Sequence, residues 1–180
     1  TLNLLELCRK FKISTFIFAS SSSVYGDRTD GPFKETDNVD NPISPYAATK
    51  KAGELLCYTY SKLYSINISC LRFFTVYGPW GRPDMALFSF VKNAIEDREI
   101  NVFNHGDLKR DFTYVDDIVN GIILSIDKPR PYEIFNLARG EPILVLEFIK
   151  EIEKSLGIKI KKKMMPMQAG DVTITYGDIT

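Results

Sequence analysis

Histidine is nearly missing from this sequence: among 180 residues there is one, His105, inside the turn-forming run Asn104-His105-Gly106-Asp107. Metal centres built from several histidines are thereby excluded. A serine hydrolase would have to draw on His105, and no Gly-x-Ser-x-Gly elbow surrounds any serine here. The three cysteines, Cys8, Cys57 and Cys70, are odd in number and scattered, so they read as buried thiols of a reducing compartment and not as a disulfide frame or zinc site. An excess of charge is missing too, since 23 Lys and Arg balance 23 Asp and Glu. Without a basic surplus nothing points to nucleic acid, and Lys161-Lys162-Lys163 reads as a solvated strand edge. No apolar run is long enough to span a bilayer and no signal-peptide pattern is visible, so the expectation is a cytoplasmic protein without membrane contact.

What is present alternates between strand and helix. Residues Leu2 to Phe11 carry an apolar stripe of helical spacing, and Ser14 to Ala19 form a short, almost wholly apolar run typical of a strand buried on both faces. Further on come a helix from Pro45 to about Tyr64, a buried strand from Ile66 to Phe74, and a rigid loop from Thr75 to Pro83. A helix over Ala86 to Glu96, a strand near Ile100 to Phe103 and a helix opened by Asp116 and Asp117 follow. A strand at Glu133 to Leu137, a helix from Leu144 that stops at Gly157, and a lysine-bordered strand running into Met164 complete the pattern. The order predicts an α/β fold with parallel strands.

The richest stretch is Ser44-Pro45-Tyr46-Ala47-Ala48-Thr49-Lys50. Ser44 suits an N-cap and Pro45 the first helical position, so Tyr46 and Lys50, four apart, share one helix face. A phenol ionises at about 10, and a cation beside it together with the positive end of a helix favours the phenolate, which can act as a base. Spacing alone is weak, because Tyr58 and Lys62 repeat it. The distinguishing context lies upstream, where the first buried strand ends in Ser20-Ser21-Ser22-Ser23-Val24-Tyr25-Gly26. The carboxyl ends of strands in open α/β sheets are where ligands bind.

With these two segments the sequence resembles the extended short-chain dehydrogenase/reductase family, whose members act on nucleotide sugars with a tightly held nicotinamide cofactor. Ser21 precedes Tyr46 by 25 residues, as the family pattern of Ser-Ser-x-x-Val-Tyr-Gly before Pro-Tyr-x-x-x-Lys requires. Leu71 to Pro79, Arg110 to Asp117 and Gly170-Asp171-Val172 match later family segments in order. Within the family, Phe18 to Gly26, Ile43 to Glu54 and Tyr77 to Ala86 are similar to the 4-epimerases that interconvert UDP-glucuronate and UDP-galacturonate. The resemblance implies NAD as cofactor and a UDP-sugar as substrate. Tyr46 would take the proton of the sugar 4-hydroxyl while the cofactor takes the C4 hydride, and the keto sugar would turn over before the hydride returns. Ser21, with Ser23 as the second hydroxyl, would hold the reacting oxygen; Lys50 would support the phenolate and touch the nicotinamide ribose. Ser20 and Phe74 are placed by resemblance on the cofactor side, and Ser22, Ser23, Thr75, Arg82, Arg110 and Asp171 on the substrate side. Arg82 and Thr75 are the candidates for a sugar carboxylate, a guanidinium being a bidentate fork. Hydroxyls at Ser22 and Ser23, where dehydratases and decarboxylases of the family carry an acid, argue against those reactions. No metal is expected.

The family's glycine-rich cofactor turn is not in this sequence. Gly78 and Gly81 follow a strand, but Pro79 and Pro83 prevent the helix that such a turn opens. The expectation is therefore an internal fragment, lacking the N-terminal strands and the C-terminal end. It should comprise the C-terminal half of a Rossmann-like parallel sheet plus a smaller α/β substrate-binding subdomain. Residues 1–80 would be the NAD-domain part carrying Ser, Tyr and Lys; residues 81–180 would be mostly nucleotide-sugar subdomain, with about 109–137 partly returning to the Rossmann core. Alone it should be inactive; full length, the resemblance implies a homodimer through the Tyr46 helix and the helix before Ser14. Two alternatives stay open: an epimerase for another UDP-sugar, and a non-catalytic nucleotide-sugar binder or dimerisation partner.

Overall fold

A computed structural model of the chain describes every residue except Ala169. In chain order the elements are α1 (Leu2–Lys10), β1 (Thr15–Ser21), α2 (Pro45–Tyr64), β2 (Asn67–Phe73), β3 (Thr75–Tyr77), α3 (Ala86–Ile95) and β4 (Ile100–Val102). They continue with β5 (Lys109–Tyr114), α4 (Val115–Asp127), β6 (Tyr132–Leu137), β7 (Pro142–Leu144), α5 (Val145–Leu156), β8 (Lys162–Met164) and β9 (Ile174–Thr175). The mixed α/β architecture with parallel sheets is the one expected. Thr75 to Tyr77, expected to be loop, is strand: a three-residue run has no periodicity to read, and its pairing with Phe112–Tyr114 of β5 supplies the backbone bonds.

Three sheets form. β1, β2 and β6 lie side by side, all parallel, with Ser20 opposite Arg72 and Arg72 opposite Asn136. Their apolar faces meet α1 and α2 in a core of Leu5, Cys8, Phe18, Cys57, Tyr60, Ile68 and Cys70. β5 centres a second sheet, parallel to β3 and β9 and antiparallel to β7. β4 and β8 make a small parallel pair over a separate core that includes Val102, Ile149 and Ile152. The three cysteines are free and buried. The hydrogen bond with Cys57, and burial after it, push the Cys70 thiol well above its ordinary range.

Two local devices hold α2 where it is. Ser44 caps the helix, its hydroxyl accepting from the Ala47 N–H at 3.1 Å, and Pro45 occupies the first turn, as the sequence predicts. Gly53 faces the Phe18 ring so closely that a Cβ there would lie 2.3 Å from a ring carbon. Glycine thus lets the helix sit directly on β1. Leu55 and Leu63 of α2, Leu4 and Leu7 of α1, and Phe11 just after it remain exposed.

The second sheet is tied down by Asp111, which is fully buried. Its carboxylate accepts from the Arg139 N–H at 2.8 Å, the Gly140 N–H at 2.9 Å, the Gly177 N–H at 3.3 Å and the Thr113 hydroxyl at 2.9 Å. Charge-assisted bonds of this kind offset the burial of an acid.

Candidate active site

β1 delivers the serines. Ser21 ends the strand in extended backbone, and its Oγ accepts from the Ser23 N–H at 3.2 Å, starting a short 3-10 turn over Ser22–Tyr25. The same hydroxyl donates to Ser23 Oγ at 3.1 Å. Gly26 closes the turn at φ +72°, where a Cβ would meet the Asn41 carbonyl oxygen at 2.6 Å. The result is a fixed loop in which Ser21 is nearly buried, Ser22 half-buried and Ser23 exposed.

α2 delivers the phenol and the ammonium. Tyr46 is half exposed, and Lys50 Nζ lies 5.5 Å from the centre of its ring. Lys50 Nζ also donates to the Ala19 carbonyl at 2.8 Å, directly behind the serines. The rival pair Tyr58 and Lys62 shows the same ammonium-over-ring distance, 5.5 Å. Tyr58, however, packs edge-on against Tyr132 and lines none of the cavities described here.

A cleft of about 680 Å³ runs past these groups, lined by Ser20–Ser23, Tyr46, Phe73, Phe74, the segment Thr75–Arg82, Met85 and Val115. A smaller cavity of about 190 Å³ shares Ser22, Ser23 and Thr75 with it and adds Arg110 and Asp171. The structure therefore brings Ser21, Ser22, Ser23, Tyr46, Phe74, Thr75 and Arg82 around one space, with Arg110 and Asp171 next door. Ser20 lines the cleft, but its hydroxyl is committed to buried Glu54, donating at 2.6 Å. His105 is exposed in its turn.

The two arginines differ. Arg82 is exposed on the rim and bonded to its neighbour Asp84, Nε to Oδ1 at 3.1 Å. An exposed pair of this kind is worth about 0–1 kcal/mol, so an incoming anion can displace Asp84. Arg110 is mostly buried and paired with Asp171; burial pulls its pKa down while Asp171 works against that. Its Nη1 donates to the Lys109 carbonyl at 2.9 Å, which aims the guanidinium. An arginine that is largely desolvated and offset by one carboxylate is suited to a further anion.

Sequence reasoning passed over one feature of the site. Arg72, inside the central strand β2, and Glu54, on α2, form a bidentate pair with both side chains 1% exposed. Nε donates to Oε1 at 3.0 Å and Nη2 to Oε2 at 2.9 Å. Burial, the largest single influence, would push the Arg72 pKa down; the hydrogen bonds and charges of Glu54 and Tyr25 together outweigh it and hold the guanidinium above its usual range. The signal was available, since a charge within the apolar run Ile66 to Phe74 demands a buried partner. Among the described residues no buried side-chain polar atom lacks a partner, no cluster of potential metal ligands occurs, and no helix is long and apolar enough to cross a membrane.

Comparison with known proteins gives the family of the chain. The NAD dependent epimerase/dehydratase family matches residues 1–138. A UDP-glucuronate 4-epimerase of Thermodesulfobacterium geofontis is 48% identical over 181 residues, covering 100% of this chain and 55% of that protein. Among solved structures, the UDP-glucuronic acid 4-epimerase of Bacillus cereus, in complex with UDP-glucuronic acid and NAD, is 38% identical with a TM-score of 0.91. That match covers 98% of this chain and 56% of the other. A UDP-N-acetylglucosamine 4-epimerase of Methanobrevibacter ruminantium, in complex with UDP-N-acetylmuramic acid, gives a TM-score of 0.94 at 30% identity over 99% of this chain and 58% of that one. The chain thus spans little more than half the length of these relatives. With its serine loop, its Tyr and Lys one helical turn apart, and a family match across more than two thirds of its length, the chain belongs to the NAD dependent epimerase/dehydratase family.

Proposed function

We propose that the chain is the catalytic and nucleotide-sugar-binding portion of an NAD-dependent UDP-glucuronate 4-epimerase. The observation that carries this reading is the single cleft shared by Ser21, Tyr46, Thr75 and Arg82, with Lys50 one turn from Tyr46. The residues present fit the nicotinamide end of a dinucleotide: serine hydroxyls and the Tyr46 phenol line the cleft with the aromatic Phe74, and the Lys50 ammonium lies behind them on the Ala19 carbonyl. When bound, NAD supplies a hydride acceptor for sugar C4. Tyr46 takes the 4-hydroxyl proton and later returns it, Ser21 donates to the same oxygen, and Lys50 favours the phenolate. Arg110 and Asp171 hold the diphosphate and ribose of the UDP group. Residues 1–80 then act as the rear part of the Rossmann domain and residues 81–180 mostly as the sugar-nucleotide subdomain, with β6 rejoining the first sheet. The apolar residues exposed on α1 and α2 serve a homodimer of the full-length, cytoplasmic protein.

A neutral UDP-sugar is the second reading, favoured by the likeness to the M. ruminantium protein and by the engagement of Arg82 with Asp84. Arg82→Ala in the full-length protein separates the two. A charge-assisted contact is worth about 1.5–3 kcal/mol, so the preference in kcat/KM for UDP-glucuronate over UDP-glucose should fall by about 10–100-fold. Unchanged discrimination would remove Arg82 as the carboxylate clamp.

A further inference from the structure

We propose that the buried Glu54–Arg72 ion pair, with Ser20 as its third member, is a positioning device. It fixes the height of Tyr46 and Lys50 on α2 relative to the Ser21 hydroxyl on β1. The inference rests on the functional reading above. Tyr46, Lys50 and Glu54 stand at i, i+4 and i+8, one stripe of the helix. Lys50 donates to the Ala19 carbonyl at 2.8 Å and Glu54 accepts from the Ser20 hydroxyl at 2.6 Å. Successive turns of the helix thus grip successive residues of the strand. Tyr46 stands one turn before Lys50 on the helix, and Ser21 one residue after Ser20 on the strand, so both contacts lie next to a cleft residue.

Glu54 is itself anchored across the sheet. Arg72 is the register partner of Ser20 on one side and of Asn136 on the other. Its Nη1 donates to the Tyr25 hydroxyl at 3.0 Å, and that hydroxyl donates to Asn136 Oδ1 at 2.7 Å. A polar row therefore crosses all three strands one residue beneath Ser21. Such a row is not needed for stability, since apolar residues of similar volume often replace a buried ion pair without loss. What apolar contacts lack is direction. A helix resting on β1 through Gly53 and Phe18 alone could slide along the strand, whereas a bidentate pair loses its geometry within a fraction of an ångström.

The test is the double variant Glu54→Leu with Arg72→Met in the full-length protein, which removes both charges so that neither is left unpaired. The expected protein is folded, keeps its NAD content and its KM for UDP-glucuronate, and loses about 100-fold in kcat. Its crystal structure should show the Tyr46 phenol shifted from Ser21 by on the order of 1 Å. Unchanged kcat with a superimposable α2 overturns the proposal. So does loss of folding in the double variant, which would make the pair purely structural. If the unmodified protein turns over none of UDP-glucuronate, UDP-glucose and UDP-N-acetylglucosamine while α2 still shifts in the variant, the functional reading fails and the positioning geometry stands.

Discussion

Tyr46→Phe in the full-length protein is expected to lower kcat for UDP-sugar epimerisation by about 10²–10⁴-fold, the usual contribution of a positioned acid–base group. The change deletes one oxygen at a half-exposed site and keeps the ring that sits 5.5 Å from Lys50 Nζ. Lys50 retains its bond to the Ala19 carbonyl and Ser44 its cap on the helix, so the fold and the walls of the cleft are preserved. The melting temperature and the KM for substrate should therefore stay close to those of the unmodified protein. Steady-state kinetics beside thermal unfolding provide the check. Tyr58→Phe is the matched control, because Tyr58 has the same lysine geometry away from the cleft. A Tyr46→Phe protein with kcat within a few-fold of normal would end the assignment of the phenol as base.

The largest expected effect on stability comes from breaking the buried pair on one side only. Glu54→Ala leaves the Arg72 guanidinium, 1% exposed, facing Ser20 and Tyr25 without a counter-charge. Removing one partner of a buried pair costs about 3–5 kcal/mol, which for a chain of this size lowers the melting temperature by about 6–20 °C. Glu141→Ala, which breaks the exposed Arg139–Glu141 pair, should stay within about 1 kcal/mol of the unmodified protein. Thermal unfolding of the two variants side by side measures the contrast. Equal melting temperatures would mean that water or a rearranged neighbour satisfies Arg72 once Glu54 is gone.

Local signals made the long elements legible. α2 begins where Ser44 and Pro45 place it and ends at Tyr64, and α5 stops before Gly157, which takes the left-handed conformation that glycine favours. Asp116 and Asp117 lie in the first turn of α4, as their charge suggests. What failed to show was long-range. β3 exists only because β5, more than thirty residues on, pairs with it. The site was half legible in the same sense: Ser21 and Tyr46 stand out through their own neighbours, and the cleft brings them together. Arg72 is a charge inside an apolar run and so calls for a buried partner, but that the partner is Glu54 emerges only when helix and sheet meet. Asp84, which occupies Arg82, was overlooked because a resemblance names the residues that meet a ligand and not those that compete with it.

The Asp111 carboxylate needs donors at Arg139, Gly140 and Gly177, segments far apart along the chain. The three strands β1, β2 and β6, by contrast, have all been made by Leu137. As the polypeptide leaves the ribosome, the layer bearing Ser21, Tyr46 and Lys50 can settle first, while Asp111 waits for residue 177 to be made. The cleft and the neighbouring cavity then mature in sequence, the side with Tyr46 before the side with Arg110 and Asp171. A nascent chain stalled between them would carry Ser21, Tyr46 and Lys50 in place while Asp111 still lacked the Gly177 donor.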